Sequence, residues 1–119
     1  MTEADFQNQI LDLCKHVGLL AYHVYDSRRS VPGFPDLVIV GKRGVLYREL
    51  KTDKGRLSKE QDQWLEALHA AGADASVWRP RDWPTRVQQE LQALGSLGLK
   101  PVPPSQAEIR KYLQRRTAS

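Results

Sequence analysis

Pro35-Asp36-Leu37-Val38-Ile39-Val40 and Val45-Leu46-Tyr47-Arg48-Glu49-Leu50-Lys51 are two apolar runs separated by Gly41-Lys42-Arg43-Gly44. Folded as a hairpin about Lys42 and Arg43, they pair Val40 with Val45, Val38 with Tyr47 and Asp36 with Glu49. Side chains directly opposed on adjacent strands lie about 4.5–5.5 Å apart at Cβ, and like charges there repel. Lys51 lies two residues beyond Glu49 and so shares its face. Two acids and a lysine therefore converge on one end of a ribbon. The arrangement is unfavourable unless something divalent sits between the acids.

The rest of the chain supplies the layers around this ribbon. Leu37, Ile39, Leu46 and Leu50 make one apolar face, and Val38, Val40, Val45 and Tyr47 the other, which predicts helices on both sides. Residues 2–17 read as a helix: Thr2 caps it, Phe6, Ile10, Leu13, Cys14 and Val17 form the inward stripe, and Gly18 stops it. A strand is expected over 19–25, followed by a Ser/Arg/Pro/Gly loop over 26–35. Ser58 opens a second helix through a capping box with Gln61, and Trp64, Leu65, Leu68 and Ala71 are its expected buried face. Residues 75–78 form a strand after this crossover and so should lie parallel to their neighbour. A third helix is expected over 82–94 and a small one over 105–113. The fold class is α/β, with a central mixed sheet flanked by helices.

Composition narrows the setting. The chain has 119 residues, 40% hydrophobic and 27% charged, which suits one globular domain. No apolar run approaches membrane-spanning length, and the N-terminus lacks the basic-then-apolar pattern of a signal peptide. One cysteine, Cys14, on an apolar stripe, fits an intracellular protein without disulfides. His16, His23 and His69 have no metal-ligand spacing. The net charge of +4 permits nucleic-acid binding. Its distribution says more: Arg28, Arg29, Lys42, Arg43, Lys54 and Arg56 are candidate phosphate contacts.

The hairpin end has the donor set of a hard divalent cation. Asp36 and Glu49 supply carboxylate oxygens and the Leu50 carbonyl a third, with Mg²⁺ the expected ion and Mn²⁺ a substitute. Such an ion polarises a phosphoryl group, and Lys51 would orient the attacking water or stabilise charge on phosphorus. Strand-end acids in salt bridges with Lys51 and Arg48 are the plainer alternative. Glu3 reads equally as a helix-dipole acid or a further ligand, and Gln61 as a cap or as a group facing the site.

With Gly33-Phe34-Pro35-Asp36-Leu37, Glu49-Leu50-Lys51, Gly55-Arg56-Leu57-Ser58, Gln61, Trp64-Leu65, Ala71-Gly72 and Val77-Trp78-Arg79-Pro80, the chain resembles the VRR-NUC family of the PD-(D/E)XK nuclease superfamily. The resemblance implies a restriction-endonuclease-like fold over residues 1–98, with 99–119 a Pro-rich linker, short helix and basic tail outside it. It carries the metal-binding acids onto Glu3, Asp36 and Glu49, the lysine onto Lys51 and the helix glutamine onto Gln61. It implies a metal-dependent endonuclease of phage type that cuts branched DNA, four-way junctions included, as a homodimer inside the cell. Two other functions compete: a catalytically silent nucleic-acid-binding or assembly module, and a nicking or restriction-like nuclease on plain duplex.

Overall fold

A computed structural model describes residues 1–24 and 31–99, together with Arg110 and Gln114. Helix α1 (Glu3–Val17) is followed by strands β1 (Leu20–His23), β2 (Leu37–Gly41) and β3 (Gly44–Leu50). Helix α2 (Lys59–Ala70), strand β4 (Asp74–Trp78) and helix α3 (Gln88–Leu94) complete the order. The four strands form one sheet in the order β1-β2-β3-β4. β1, β2 and β3 are antiparallel, and β4 joins β3 in parallel after the α2 crossover. The hairpin register is the expected one, with Val40 opposite Val45, Val38 opposite Tyr47 and Leu37 opposite Arg48. One step further places Asp36 against Glu49.

The caps that the sequence announces close both long helices. Thr2 Oγ1 accepts from the Asp5 amide at 3.0 Å, Asp5 accepts from the Thr2 amide, and Gly18 ends α1 at φ 83°. The inward stripe of α1 packs with Leu37, Ile39, Leu46 and Leu50, and Val87, Leu91 and Leu94 join them from the α3 side. Cys14 lies in this core, and burial pushes its thiol up to about 12, so it is a packing residue and not a nucleophile.

Among the described residues Arg48 is the buried cation on this apolar face, 1% exposed. Its guanidinium donates to the Asp74 carboxylate and carbonyl, both at 2.8 Å, and to Glu90 at 3.4 Å. It also lies over the Trp78 ring, 5.1 Å from the centroid, while Trp78 Nε1 donates to Glu90. This network ties β3, β4 and α3 together, and removing both acids would leave the buried Arg48 charge uncompensated. It also removes Arg48 from the salt-bridge alternative for the acids, because Arg48 pairs with Asp74 and Glu90; Lys51 keeps its electrostatic pull on Glu49.

Helices cover both faces, but unevenly. On α2 the buried residue is Leu65; Trp64 and Leu68 are half-buried and Ala71 is exposed, so the expected inward face is narrower than its apolar spacing suggests. The physical reason is that, among the described residues, α2 is the helix that covers this side. Phe34 fills the gap, edge-on to Trp64 at 5.2 Å and to Tyr47 at 6.3 Å. Towards β1 no described helix covers the face: Leu20, Tyr22 and Val45 are 56, 65 and 39% exposed.

The expected third helix over 82–94 is broken into a 3₁₀ turn at Pro80–Asp82, a π turn at Trp83–Val87 and α3. Pro84 has no amide hydrogen and its ring crowds the preceding turn, so the chain winds wide there. The helix expected over 105–113 lies outside the described residues except for Arg110, which is helical.

Candidate active site

The approach to β2 is fixed by close packing on α2. Gly33 sits at φ +94°, and a Cβ there would lie 2.5 Å from the Glu60 backbone and 2.8 Å from the Gln61 nitrogen. Only glycine tolerates both the left-handed conformation and that approach. Pro32 anchors the same segment by accepting from Trp64 Nε1 at 3.1 Å. Pro35 is buried, and Asp36 follows at the mouth of the sheet. Its Oδ2 accepts from the Leu50 amide at 2.8 Å, and its carbonyl accepts from the Val24 amide at 3.2 Å. Asp36 thus links the ends of β1 and β3.

Glu49 is 2% exposed and lies on the α2 side of β3. Its Oε1 accepts from Gln61 Nε2 at 3.0 Å, while Oε2 is buried with no hydrogen-bond partner. Burial, then the neighbouring Asp36 carboxyl, pushes Glu49 up to about 9; Lys51 acts against this and Glu3 with it. Protonated, Glu49 can share its proton with Asp36; ionised, its Oε2 is a buried oxygen with no donor beside a second acid, which is unfavourable without a positive partner.

A divalent cation fits that requirement. Within a strand the N–H and C=O of one residue point to the same neighbour. The Leu50 amide points to Asp36, so its carbonyl faces the same side. Asp36, Glu49 and the Leu50 carbonyl are therefore the residues that would hold Mg²⁺. Among the described residues no three Asp, Glu, His or Cys side chains converge as a preformed metal cluster. Two carboxylates and a carbonyl suit an ion that keeps several waters. Glu3, exposed at the start of α1, reaches this end of the sheet as a charge felt by Glu49 and does not complete such a cluster.

Gln61 closes the cap and also reaches Glu49. Its backbone amide donates to Ser58 Oγ at 3.1 Å and its Oε1 accepts from the Ser58 amide at 2.9 Å, closing the capping box, while its Nε2 serves Glu49. Lys51 is half-buried on the Glu49 side, and its amide donates to the Trp78 carbonyl at 3.2 Å.

The basic residues divide into two groups. Lys54 and Arg56 are exposed on the loop that leaves Lys51. Lys42 and Arg43 sit at the other end of the hairpin, Lys42 six residues from Asp36 and Arg43 six from Glu49, or about 20 Å away. There the Lys42 and Arg43 amides donate to the Gly95 and Leu94 carbonyls, and the Arg43 guanidinium to the Ala93 carbonyl at 3.1 Å. Arg43 caps the end of α3, a role with no local signal in the sequence. Arg28 and Arg29 lie outside the described residues. Arg79, which sequence reasoning gave no role, donates to the Thr52 and Gly55 carbonyls in the Lys54 loop. A groove of about 410 Å³ along α2, lined by Val31, Pro32, Glu60, Gln63, Trp64 and Ala67, is mainly apolar and does not contain the acids.

The family model described as the VRR-NUC domain matches residues 2–82. A solved structure titled a VRR-NUC domain protein is 24% identical, with a TM-score of 0.60 over 81% of this chain and 92% of that one. A second, titled a VRR-NUC domain, is 21% identical, with a TM-score of 0.57 over 77% and 91%. The Holliday junction resolvase Hjc of Archaeoglobus fulgidus is 26% identical, with a TM-score of 0.49 over 66% and 69%. Among curated proteins none matches the chain. With the family model spanning more than half its length, and paired acids at the mouth of a mixed sheet, the chain belongs to the VRR-NUC family of nucleases.

Proposed function

We propose that this nuclease is a metal-dependent endodeoxyribonuclease that hydrolyses phosphodiester bonds in branched DNA. The observation that carries the reading is the buried, unpartnered Glu49 oxygen beside Asp36, with Lys51 on the same side of the sheet. When bound there, Mg²⁺ or Mn²⁺ would polarise the scissile phosphoryl group and lower the pKa of a water. Asp36 and Glu49 hold the charge that the cation needs, and Gln61 fixes the Glu49 carboxylate in place. Lys51 places a positive charge where negative charge develops on phosphorus. Glu3 adds negative charge from the α1 side, and Lys54 and Arg56 grip flanking phosphates. A protein acting on DNA in this way works inside the cell, and no helix among the described residues is long and apolar enough to cross a membrane.

The test uses labelled four-way junction, flap and plain duplex with Mg²⁺, Mn²⁺ or EDTA. The wild type should cut branched DNA with either metal and nothing in EDTA. Asp36→Ala and Lys51→Ala should bind the same DNA without cutting it. Cutting by purified Lys51→Ala at the wild-type rate would remove the catalytic role. Binding with no products from the wild type would favour the silent module, and equal cutting of plain duplex the restriction-like enzyme.

Symmetric cutting of a four-way junction needs two sites, and we propose a homodimer. The open sheet face around Leu20, Tyr22 and Val45 is the surface that a second copy would cover. Sedimentation should give twice the 13.5 kDa chain mass, and Tyr22→Glu should halve it. A monomeric wild type at micromolar concentration rules the dimer out.

A further inference from the structure

We propose that Arg79 is a positioning residue that holds the loop after β3 so that Lys51, Lys54 and Arg56 face the DNA backbone; the functional half of this rests on the nuclease reading above. β3 and β4 run parallel and leave the sheet side by side, Leu50 opposite Trp78. The Lys51 amide makes the last link between them, to the Trp78 carbonyl. Beyond it the chain from Lys51 to Ser58 has no strand partner to order it.

Arg79 supplies the order. Its Nη1 donates to the Thr52 carbonyl at 2.6 Å and to the Gly55 carbonyl at 2.7 Å. These are charge-assisted bonds, the stronger kind. A turn between the two carbonyls is closed by the Gly55 amide on Thr52. Next door, the Arg81 amide donates to Asp53 at 3.1 Å. Arg79 is itself anchored, its amide donating to Asp82 at 2.8 Å. The exit of β4 is thus fastened to the loop at Thr52, Asp53 and Gly55.

The fastening reaches the Lys51 side chain through Gly55. A Cβ on Gly55 would lie 3.5 Å from Lys51 Cδ and 3.0 Å from Thr52 Oγ1, so the Gly55 backbone lies along the lysine stem. A lysine has a flexible stem with many rotamers, and a wall along it limits where the ammonium can go. Lys54 and Arg56 flank Gly55 and are exposed, so the same clamp sets where two further cations point. Arg79 does this without touching the acids and without being needed as a phosphate ligand.

The experiment compares wild type, Arg79→Met and Arg79→Lys for trypsin nicking after Lys54 and Arg56, and for turnover of junction DNA at saturating substrate. Arg79→Met should be nicked at least about tenfold faster, because the loop opens locally. Its kcat should fall at least about tenfold, because a misplaced group forfeits orientation, while Tm moves by a few degrees at most. Arg79→Lys, whose ammonium can donate to both carbonyls, should restore most of both. Unchanged nicking in the folded Met variant overturns the clamp. Faster nicking with unchanged kcat overturns its link to Lys51. A wild type that cuts no DNA overturns the nuclease reading and the functional half of the proposal, while the trypsin comparison still decides the clamp.

Discussion

Exchanging Glu49 for glutamine is expected to lower cleavage by roughly a thousandfold or more and, at the same time, to stabilise the metal-free protein above neutral pH. The first effect follows from losing a charge that holds the cation: several kcal/mol of transition-state stabilisation correspond to about three decades at ~1.4 kcal/mol per decade. The second follows from protonation. Burial and Asp36 raise Glu49 from 4.5 to about 9 in the folded chain. Without metal the folded state therefore keeps a proton that the unfolded chain releases. The resulting stability is fully present below pH 4.5 and is lost as pH rises towards about 9. Glutamine resembles the protonated acid and has no proton to lose, so its Tm in EDTA should stay flatter across this window and exceed the wild type's at its alkaline end.

Metal reverses the wild-type trend, since it binds the ionised carboxylate. Magnesium added at pH 7 should release close to one proton in a weakly buffered solution. Its apparent affinity should climb by up to about tenfold per pH unit below the Glu49 pKa. A wild-type Tm in EDTA that parallels the glutamine variant from pH 5 to 9 would show that Glu49 ionises freely, and the paired-acid site would lose its energetic basis.

Local patterns carried much of this arrangement into the sequence. Alternation about Lys42 and Arg43 fixed which residues oppose each other, so the Asp36–Glu49 pairing could be read before any coordinates. The caps at Thr2 and Ser58 and the stop at Gly18 were equally local, since each depends on residues within three or four positions. The parallel placement of β4 followed from the helical crossover.

What stayed hidden depends on partners far along the chain. Period-two alternation puts Arg48 on the apolar face but says nothing of Asp74 and Glu90, 26 and 42 residues away, which make that position tenable. Arg43 looks like a surface cation until α3 ends against it. Apolar spacing on α2 promised a full inward face, yet among the described residues α2 is the one helix on that side, and Leu65 is its buried residue. At the site, the acids were legible as a pair, but not the depth of Glu49 or its unpartnered oxygen, because burial is set by α2 and the Gly33 loop together.

Gln61→Glu separates the two tasks that one side chain performs. A capping box accepts either Glu or Gln at this position, because only an oxygen is needed to receive the Ser58 amide. Glutamate meets that need and its backbone amide still reaches Ser58 Oγ. The third bond is different: Nε2 donates to Glu49 Oε1, and a carboxylate oxygen in its place would face another acid. The variant should therefore keep the α2 cap and the far-ultraviolet helix signal, yet lose about 10–100-fold in metal affinity or turnover, the usual effect of removing a group that orients a ligand. Gln61→Ala loses the donor together with the side-chain half of the capping box, while the backbone amide still reaches Ser58 Oγ, and should add a stability loss of about 0.5 kcal/mol. Mg²⁺ titrations and junction cleavage on the three proteins distinguish the roles. Full activity in Gln61→Glu would mean that the residue only starts a helix; a deep loss with α2 intact would mean that glutamine stands there for the hydrogen it gives to Glu49.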